Sequence, residues 1–215
     1  MRRYFSHAIR PGAPLQRGVG LTMSGRIKAG AWLPFTAMEE LDGRSFEWRA
    51  RVGLGPLTLL AVTDRFRDGA GSMTGRLFGR LELFRAEDED TTRSAAGRAA
   101  VESFWSPAGL LPAYGVDWRA EADDLIVATL SLPPEVAELR LRLGPDGAVR
   151  TASIQRWGNV GQPEYGYIPC GGTVEEERRF GHLTLPSRVS VGWWFGTPRC
   201  TPFFTATISG AEQFF

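Results

Sequence analysis

The sequence predicts an α+β, mostly β fold: one large, strongly curved antiparallel sheet, a half-barrel, with one main helix packed on its concave side. Three observations carry that expectation. Apolar and polar residues alternate with a period of two over roughly a dozen short runs, the pattern of strands with one buried face. The turns joining the first of these runs are too short for parallel crossovers. One stretch, from Asp90 to Trp105, carries small and apolar residues at helical spacing. A sheet of that many strands must curl or split, and a single small-faced helix suits the hollow of a curled one.

Taken in order, residues 2–9 suit one or two helical turns, which Pro11-Gly12-Ala13-Pro14 cannot continue; together residues 1–14 form an N-terminal helical turn and linker. A first antiparallel meander is expected over 15–86. Val19, Leu21, Met23 and Ile27 alternate with Thr22, Ser24, Arg26 and Lys28, residues 32–41 continue less regularly, and Asp42-Gly43 marks a turn. Phe46, Trp48, Ala50, Val52 and Leu54 then alternate with Glu47, Arg49, Arg51 and Gly53 until Gly55-Pro56 breaks the run. Leu60, Val62, Asp64 and Phe66 share one face, which puts a carboxylate in an apolar row. Beyond the turn at Asp68-Gly69-Ala70-Gly71, Met73, Leu77, Leu81 and Leu83 alternate with Thr74, Arg76, Arg80 and Glu82.

The helix is expected over 90–106. Glu87-Asp88-Glu89-Asp90 complements the positive end of its dipole, and Thr91 or Thr92 supplies the cap. Ala96, Ala99, Ala100 and Phe104 form a stripe with which the helix can lie close on the sheet, and Pro107 ends it. Residues 107–215 return to strands: at 116–120, at 125–130, around Leu139, Leu141 and Leu143, at 149–157 after the turn signal Gly144-Pro145-Asp146-Gly147, and at 173–180, 187–195 and 203–208. Residues 158–172, with their glycines, Pro163, Tyr165, Tyr167 and Pro169, read as a long loop of the kind that serves as a lid or binding segment. With no internal repeat and no low-complexity linker, residues 1–215 are expected to form a single domain.

A net charge of +1 over 215 residues excludes the clustered cationic field of a nucleic-acid binder, and 43% hydrophobic with 23% charged residues excludes disorder. No run approaches the roughly 18 apolar residues of a membrane span. Tyr4 to Pro11 offers no signal-peptide core after the basic start, so a cytoplasmic location is expected, with an upstream membrane anchor as the open alternative. Cys170 and Cys200 have neither metal spacing nor the density of a disulfide scaffold, and His7 and His182 stand far apart with no second ligand at a usual spacing. Gly69-Ala70-Gly71 lacks the third glycine of a dinucleotide loop, and Ser72 and Ser187 lack the strand-turn-helix setting of a nucleophile elbow. No metal and no cofactor is therefore expected.

Two groups of residues remain as site candidates. Trp32, Phe35, Trp48, Phe66, Trp105, Trp118, Trp157 and Trp193 suit the lining of an apolar ligand cavity, and equally the filling of the hollow side of a wide sheet. Asp64 and Glu102, where both enter such a cavity, count among its ligand-binding residues and suit a general acid and base, since burial disfavours the charged carboxylate. The plainer alternative is that each is held by an arginine, with Arg65, Arg67 and Arg98 nearest in sequence. Glu102 and Trp105 are expected to face the cavity and residues 107–112 to form its hinge or rim.

The combination of Gly25, Trp32-Leu33-Pro34-Phe35-Thr36-Ala37, Phe46-Glu47-Trp48-Arg49-Ala50 and Asp64-Arg65-Phe66 with Gly69 and Gly71 continues in Glu102, Trp105, Pro107, Leu110-Leu111-Pro112, Trp118, Gly181, Leu185-Pro186-Ser187 and Trp193. In that order, from about Tyr4 to the C-terminus, it resembles a bacterial family of unknown function. The resemblance implies a shape similar to the half-barrel of bacterial lipoprotein carriers, in which a curved sheet and lid helices enclose an apolar cavity for acyl chains. With no export signal among these residues, a lipoprotein-trafficking role is not expected. The expected function is binding of a hydrophobic or lipid-like small molecule in an apolar cavity, favoured over two alternatives: an enzyme using Asp64 and Glu102 on a small hydrophobic substrate, and a structural or partner-binding module with a filled core. The expected partner is a hydrophobic small molecule or lipid, with no nucleic acid and no membrane span, and the residues fix no oligomeric state.

Overall fold

The computed structural model describes residues 1–54 and 57–214, so the expected break at Gly55-Pro56 lies outside the described residues. Helix α1 (Arg2–Ala8) precedes six strands: β1 (Gly18–Ala29), β2 (Ala31–Leu41), β3 (Phe46–Leu54), β4 (Leu57–Arg67), β5 (Ala70–Leu77) and β6 (Leu81–Ala86). Helix α2 (Glu89–Glu102) and three 3-10 turns (Ser103–Trp105, Pro107–Leu110, Pro112–Tyr114) follow. Seven more strands complete the chain: β7 (Asp117–Ala122), β8 (Leu125–Leu132), β9 (Glu135–Leu143), β10 (Val149–Gly158), β11 (Gly166–Phe180), β12 (Leu183–Trp193) and β13 (Thr201–Phe214). All thirteen strands join one antiparallel sheet in the order β6-β5-β4-β3-β2-β1-β13-β12-β11-β10-β9-β8-β7. Among the described residues no helix is long and apolar enough to cross a membrane.

The strand order gives the helix its place. Each half is a meander, and the halves meet where β1 pairs with β13, with Ile27 opposite Phe204 and Gly25 opposite Ala206. The first meander ends on one outer edge, β6, and the second begins on the other, β7. The segment between them must therefore travel the full width of the sheet, and α2 does so through the hollow. It touches β4 and β5 in one wing and β8, β9 and β10 in the other. The expectation of a curved antiparallel sheet around one main helix is met.

Side-chain alternation turns the register into rows on the concave face. One row runs through Leu21, Glu39, Trp48, Asp64 and Met73 on β1 to β5. Another runs through Ile27, Phe204, Val191, Gly172 and Ala152 on β1, β13, β12, β11 and β10. Arg49, Arg51, Arg65 and Arg67 point the other way, to solvent.

Close packing of α2 follows from what its buried face lacks: Ala95, Ala96, Gly97, Ala99 and Ala100 are all buried and all small. On β5 the approach is closer still. A Cβ on Gly71 would lie 2.7 Å from the Cα of Thr92 and 2.8 Å from the Cβ of Ala95, and the Gly71 N–H donates to the Thr92 hydroxyl at 3.1 Å. That contact corrects the expected cap. Thr92 is used across to the strand, and the N-cap is Asp88, whose carboxylate accepts from the Thr91 N–H at 2.7 Å. The helix also stops at Glu102, where the chain tightens into a 3-10 turn and the Ser103 hydroxyl donates to the Ala100 carbonyl.

The loop expected over 158–172 is mostly strand. Gly166 to Thr173 pair with β10, and only residues 159–165 connect the two strands. Ile168 and Cys170 point inward and are fully buried, an alternation that the glycines and Pro169 obscure in the sequence. Pro169 is tolerated because pairing with β12 begins only at Cys170, so it occupies an edge position where a missing N–H breaks no ladder.

Substituting Gly71 by alanine separates two opposed effects. The unfolded chain loses entropy, which favours folding by about 0.4–1 kcal/mol, while the added methyl meets helix backbone, and overpacking costs about 1–3 kcal/mol. The expected result is a net loss of stability, read as a lower midpoint in urea denaturation with an unchanged far-ultraviolet spectrum.

Candidate ligand-binding site

The last turns of α2 hang over the row formed by Ala152, Gly172, Val191, Phe204 and Ile27, and the space between is a cavity of about 210 Å³. Val101, Phe104 and Trp105 form its roof, and Val189, Val191, Trp193, Phe203 and Phe204 much of its floor. Its polar groups are few: Asp64, Arg98, Glu102 and Arg156, with Thr173 beside them. Small residues keep it open. Ala152 and Gly172 oppose each other in the row, and at Gly172 even a methyl is excluded, since a Cβ would lie 2.5 Å from the Ser190 carbonyl oxygen. The two strands crowd there, as a sharply coiled sheet requires, and nothing projects into the hollow.

One end of the cavity is closed by a buried charge cluster. Arg98 donates from Nη1 to Asp64 at 2.7 Å, from Nε to Glu102 at 2.9 Å and from Nη2 to Glu39 at 3.2 Å. Its guanidinium also lies 4.6 Å from the ring centroid of Phe46 and 5.0 Å from that of Trp48. One cation thus binds three carboxyl groups from β2, β4 and its own helix. Burial works against the charge on Arg98, but the acidic groups around it, Glu102 and Asp64 foremost, outweigh that and hold its pKa above the ordinary value. Glu39, 1% exposed, is the odd member. Desolvation pushes it well above the usual carboxylate range, the charge of Glu102 adds to that, and Arg98 opposes it. Of the three carboxyl groups around the guanidinium, Glu39 is thus the one whose surroundings most oppose its ionisation. Its Oε2 and the neighbouring Trp48 Nε1 have no hydrogen-bond partner among the described residues.

A second arginine of α2 grips the opposite wing. Arg93 binds Glu135 at 2.5 Å, its guanidinium lies 3.4 Å from the ring centroid of Trp157, and the Tyr167 hydroxyl donates to Glu135 at 2.6 Å. Trp157 in turn donates from Nε1 to Asp90 at 2.7 Å.

Of the residues expected at a ligand site, the fold brings Trp48, Asp64, Glu102, Trp105 and Trp193 to the cavity and places the other five elsewhere. Trp157 belongs to the Arg93 clamp. Trp118 packs on Tyr4 and Phe5 and donates to the Leu110 carbonyl. Phe35 stacks behind Phe204 at 5.1 Å, Phe66 is buried in the core, and Trp32 is half-buried at the start of β2. Asp64 and Glu102 do converge, and it is on Arg98 that they converge, the nearest-arginine alternative. Pro107 to Leu110, expected as hinge or rim, are buried 3-10 turns, and the cavity lining reaches along this segment only to Trp105. Sequence reasoning passed over Glu39 and Arg156. Glu39 carried the signal that marked Asp64, since it alternates in phase with the buried Phe35, Ala37 and Leu41. Among the described residues no group of three His, Cys, Asp or Glu could hold a metal ion.

The family described as "Family of unknown function (DUF6920)" matches residues 1–212. No curated protein matches the chain at a significant level. Three solved structures share the fold at very low identity. A DUF1329 family protein from Desulfovibrio piger superposes with a TM-score of 0.51 at 8% identity, covering 92% of this chain and 86% of its own. A putative outer membrane lipoprotein-sorting protein domain from Vibrio parahaemolyticus gives 0.50 at 8% identity, over 91% and 85% of the two chains. A LolA superfamily protein from Nitrosomonas europaea gives 0.50 at 7%, over 100% and 91%. The likeness establishes the fold, as the resemblance read from the sequence implied.

Two variants test the charge cluster. Arg98→Leu leaves Asp64 and Glu102 buried without their counter-charge, and a loss of about 3–5 kcal/mol at pH 7 is expected in denaturant titration. Glu39→Gln tests the buried acid by its sign. Burial raises its folded-state pKa above the ordinary 4.5, so as pH rises past 4.5 the unfolded chain gives up the proton before the folded one does, binds fewer protons, and stability falls. The fall is about 1.4 kcal/mol per pH unit, and it ends once pH passes the folded-state pKa. Denaturation midpoints compared from roughly pH 5 to pH 8 should show the Glu39→Gln protein gaining on the wild type as pH rises.

Proposed function

The chain belongs to the DUF6920 family of unknown function, and we propose that it binds a hydrophobic, lipid-like small molecule in the cavity beneath the end of α2. The observation that carries this is the cavity itself: an apolar space of about 210 Å³ between helix and sheet, with few polar groups on its wall. Apolar ligand surface gains roughly 25 cal/mol per Å² on leaving water and needs no dedicated hydrogen bonds, so such a wall selects by shape and hydrophobicity. The shared fold of the lipoprotein-sorting domain and the LolA-superfamily protein supports a lipid-like ligand over other apolar molecules. An acid–base enzyme is less well supported, because Asp64 and Glu102 both direct oxygens at Arg98.

Titration with an environment-sensitive fluorophore should show saturable binding, and native mass spectrometry of protein taken from cells should show a co-purifying small molecule. Val191 stands on the cavity floor between Gly172 and Phe204. Val191→Trp fills the space and is expected to weaken fluorophore binding tenfold or more while the protein stays folded. An absence of saturable binding together with an empty native mass spectrum would sink the proposal.

A further inference from the structure

Arg156 is a cation on the cavity wall to which the fold, among the described residues, brings no acid. Arg98 has three carboxyl partners and Arg93 has Glu135. Among the described residues Arg156 has none, and its one hydrogen bond to a protein oxygen runs from Nε to the Ser94 carbonyl at 3.0 Å. The side chain is nonetheless held firmly. Its stem lies against Gly97 of α2, where a Cβ would come within 2.9 Å of its Cγ, and its guanidinium stands 5.0 Å from the ring centroid of Trp193. The buried Cys170 thiol beside it is no counter-ion, since burial pushes its pKa up and keeps it neutral. Glu102, the helix carboxylate that lines the same cavity, is bound at both oxygens by Arg98.

We propose that Arg156 anchors the anionic head of the ligand, which makes the ligand class a single-chain amphiphile ending in a carboxylate or a phosphate monoester. The proposal rests on the ligand-binding reading above and narrows it. With Nε fixed on Ser94 and only the neutral Cys170 thiol as a further side-chain partner, the guanidinium has a planar fork to offer, and a fork of that kind pairs with two oxygens of one anion. The apolar chain then runs along Val191, Phe204 and Val101, where it meets no charge. Gly97 makes sense in the same frame: a glycine inside a helix costs stability, and here it clears the room in which the arginine stem lies.

The test is displacement of the bound fluorophore by three probes with the same chain: dodecanoate, dodecyl phosphate and methyl dodecanoate, each below its micellar concentration. The wild-type protein is expected to bind at least one anion tenfold or more tighter than the ester, and the ranking of the two anions identifies the head group. Arg156→Gln should remove that preference and leave ester affinity within about twofold, whereas Arg156→Lys, which keeps the charge, should retain part of it. Equal binding of all three probes by the wild type overturns the anchor but leaves the cavity reading standing. So does a preference that survives Arg156→Gln. Loss of ester and anion binding together in both variants assigns Arg156 a purely structural part and overturns the proposal, while wild-type protein that takes up none of the three probes, the ester included, overturns the cavity reading with it.

Discussion

The buried pairing of Arg98 with Asp64, Glu102 and Glu39 is the interaction on which the arrangement of helix and sheet depends. A helix lined with alanine and glycine has little apolar surface to bury, so hydrophobic adhesion alone holds it weakly at roughly 25 cal/mol per Å². Arg98 supplies directed bonds to two strands at once, β2 through Glu39 and β4 through Asp64. Taking these charges out of water is expensive, and the expense is met only where the geometry leaves few unmet bonds. One guanidinium among three carboxyl groups leaves positive charge short, and burial eases the mismatch by raising the pKa of Glu39, the acid that most resists ionisation. The small faces of α2 and its two arginine clamps are therefore one solution: close approach for the backbone, and fixed position from charge.

The position of α2 in turn decides where space is left. The strand order sends the connection from β6 to β7 through the hollow, and the Gly71 contact presses the helix N-terminal half onto β5. Arg93 ties the same half to the other wing through Glu135 and Trp157. The helix is thus pinned at its start, and the gap opens under its last turns, above a row that narrows to Ala152 and Gly172. Sheet coiling and cavity have a common origin in those small residues.

Much of the fold was legible because alternation is a local signal. The inward direction of Asp64 followed from Leu60, Val62 and Phe66 alone, and the structure has all four on the concave face. The same signal failed between 158 and 172, where glycines carry no side chain to alternate and Pro169 argues against a strand unless its edge position is known. The candidate site was legible only in part, for a related reason. Trp118 and Trp157 are large and apolar like Trp105 and Trp193, but their indole N–H groups are directed to the Leu110 carbonyl and to Asp90, partners far off in the fold or fixed only once it forms. Composition marks an aromatic ring as buried; it does not say which neighbour the ring is buried against. Arg156 was invisible for the strongest form of that reason, since what distinguishes it is the lack of an ion-pair partner among the described residues.

That lack divides the arginines of the hollow by what surrounds them. Arg93 and Arg98 bridge elements, and each is neutralised by acids that the fold itself delivers. Arg156 is positioned with comparable care, by Ser94, Gly97 and Trp193, yet among the described residues no carboxylate pairs with it. A guanidinium partly withdrawn from water gains from any anion that reaches it, and more so beside apolar walls where the local dielectric is low. The clamps must be complete for the helix to stay in place. The cation at the cavity wall is incomplete, and a ligand that brings both an apolar chain and an anionic head completes it while filling the space beside it.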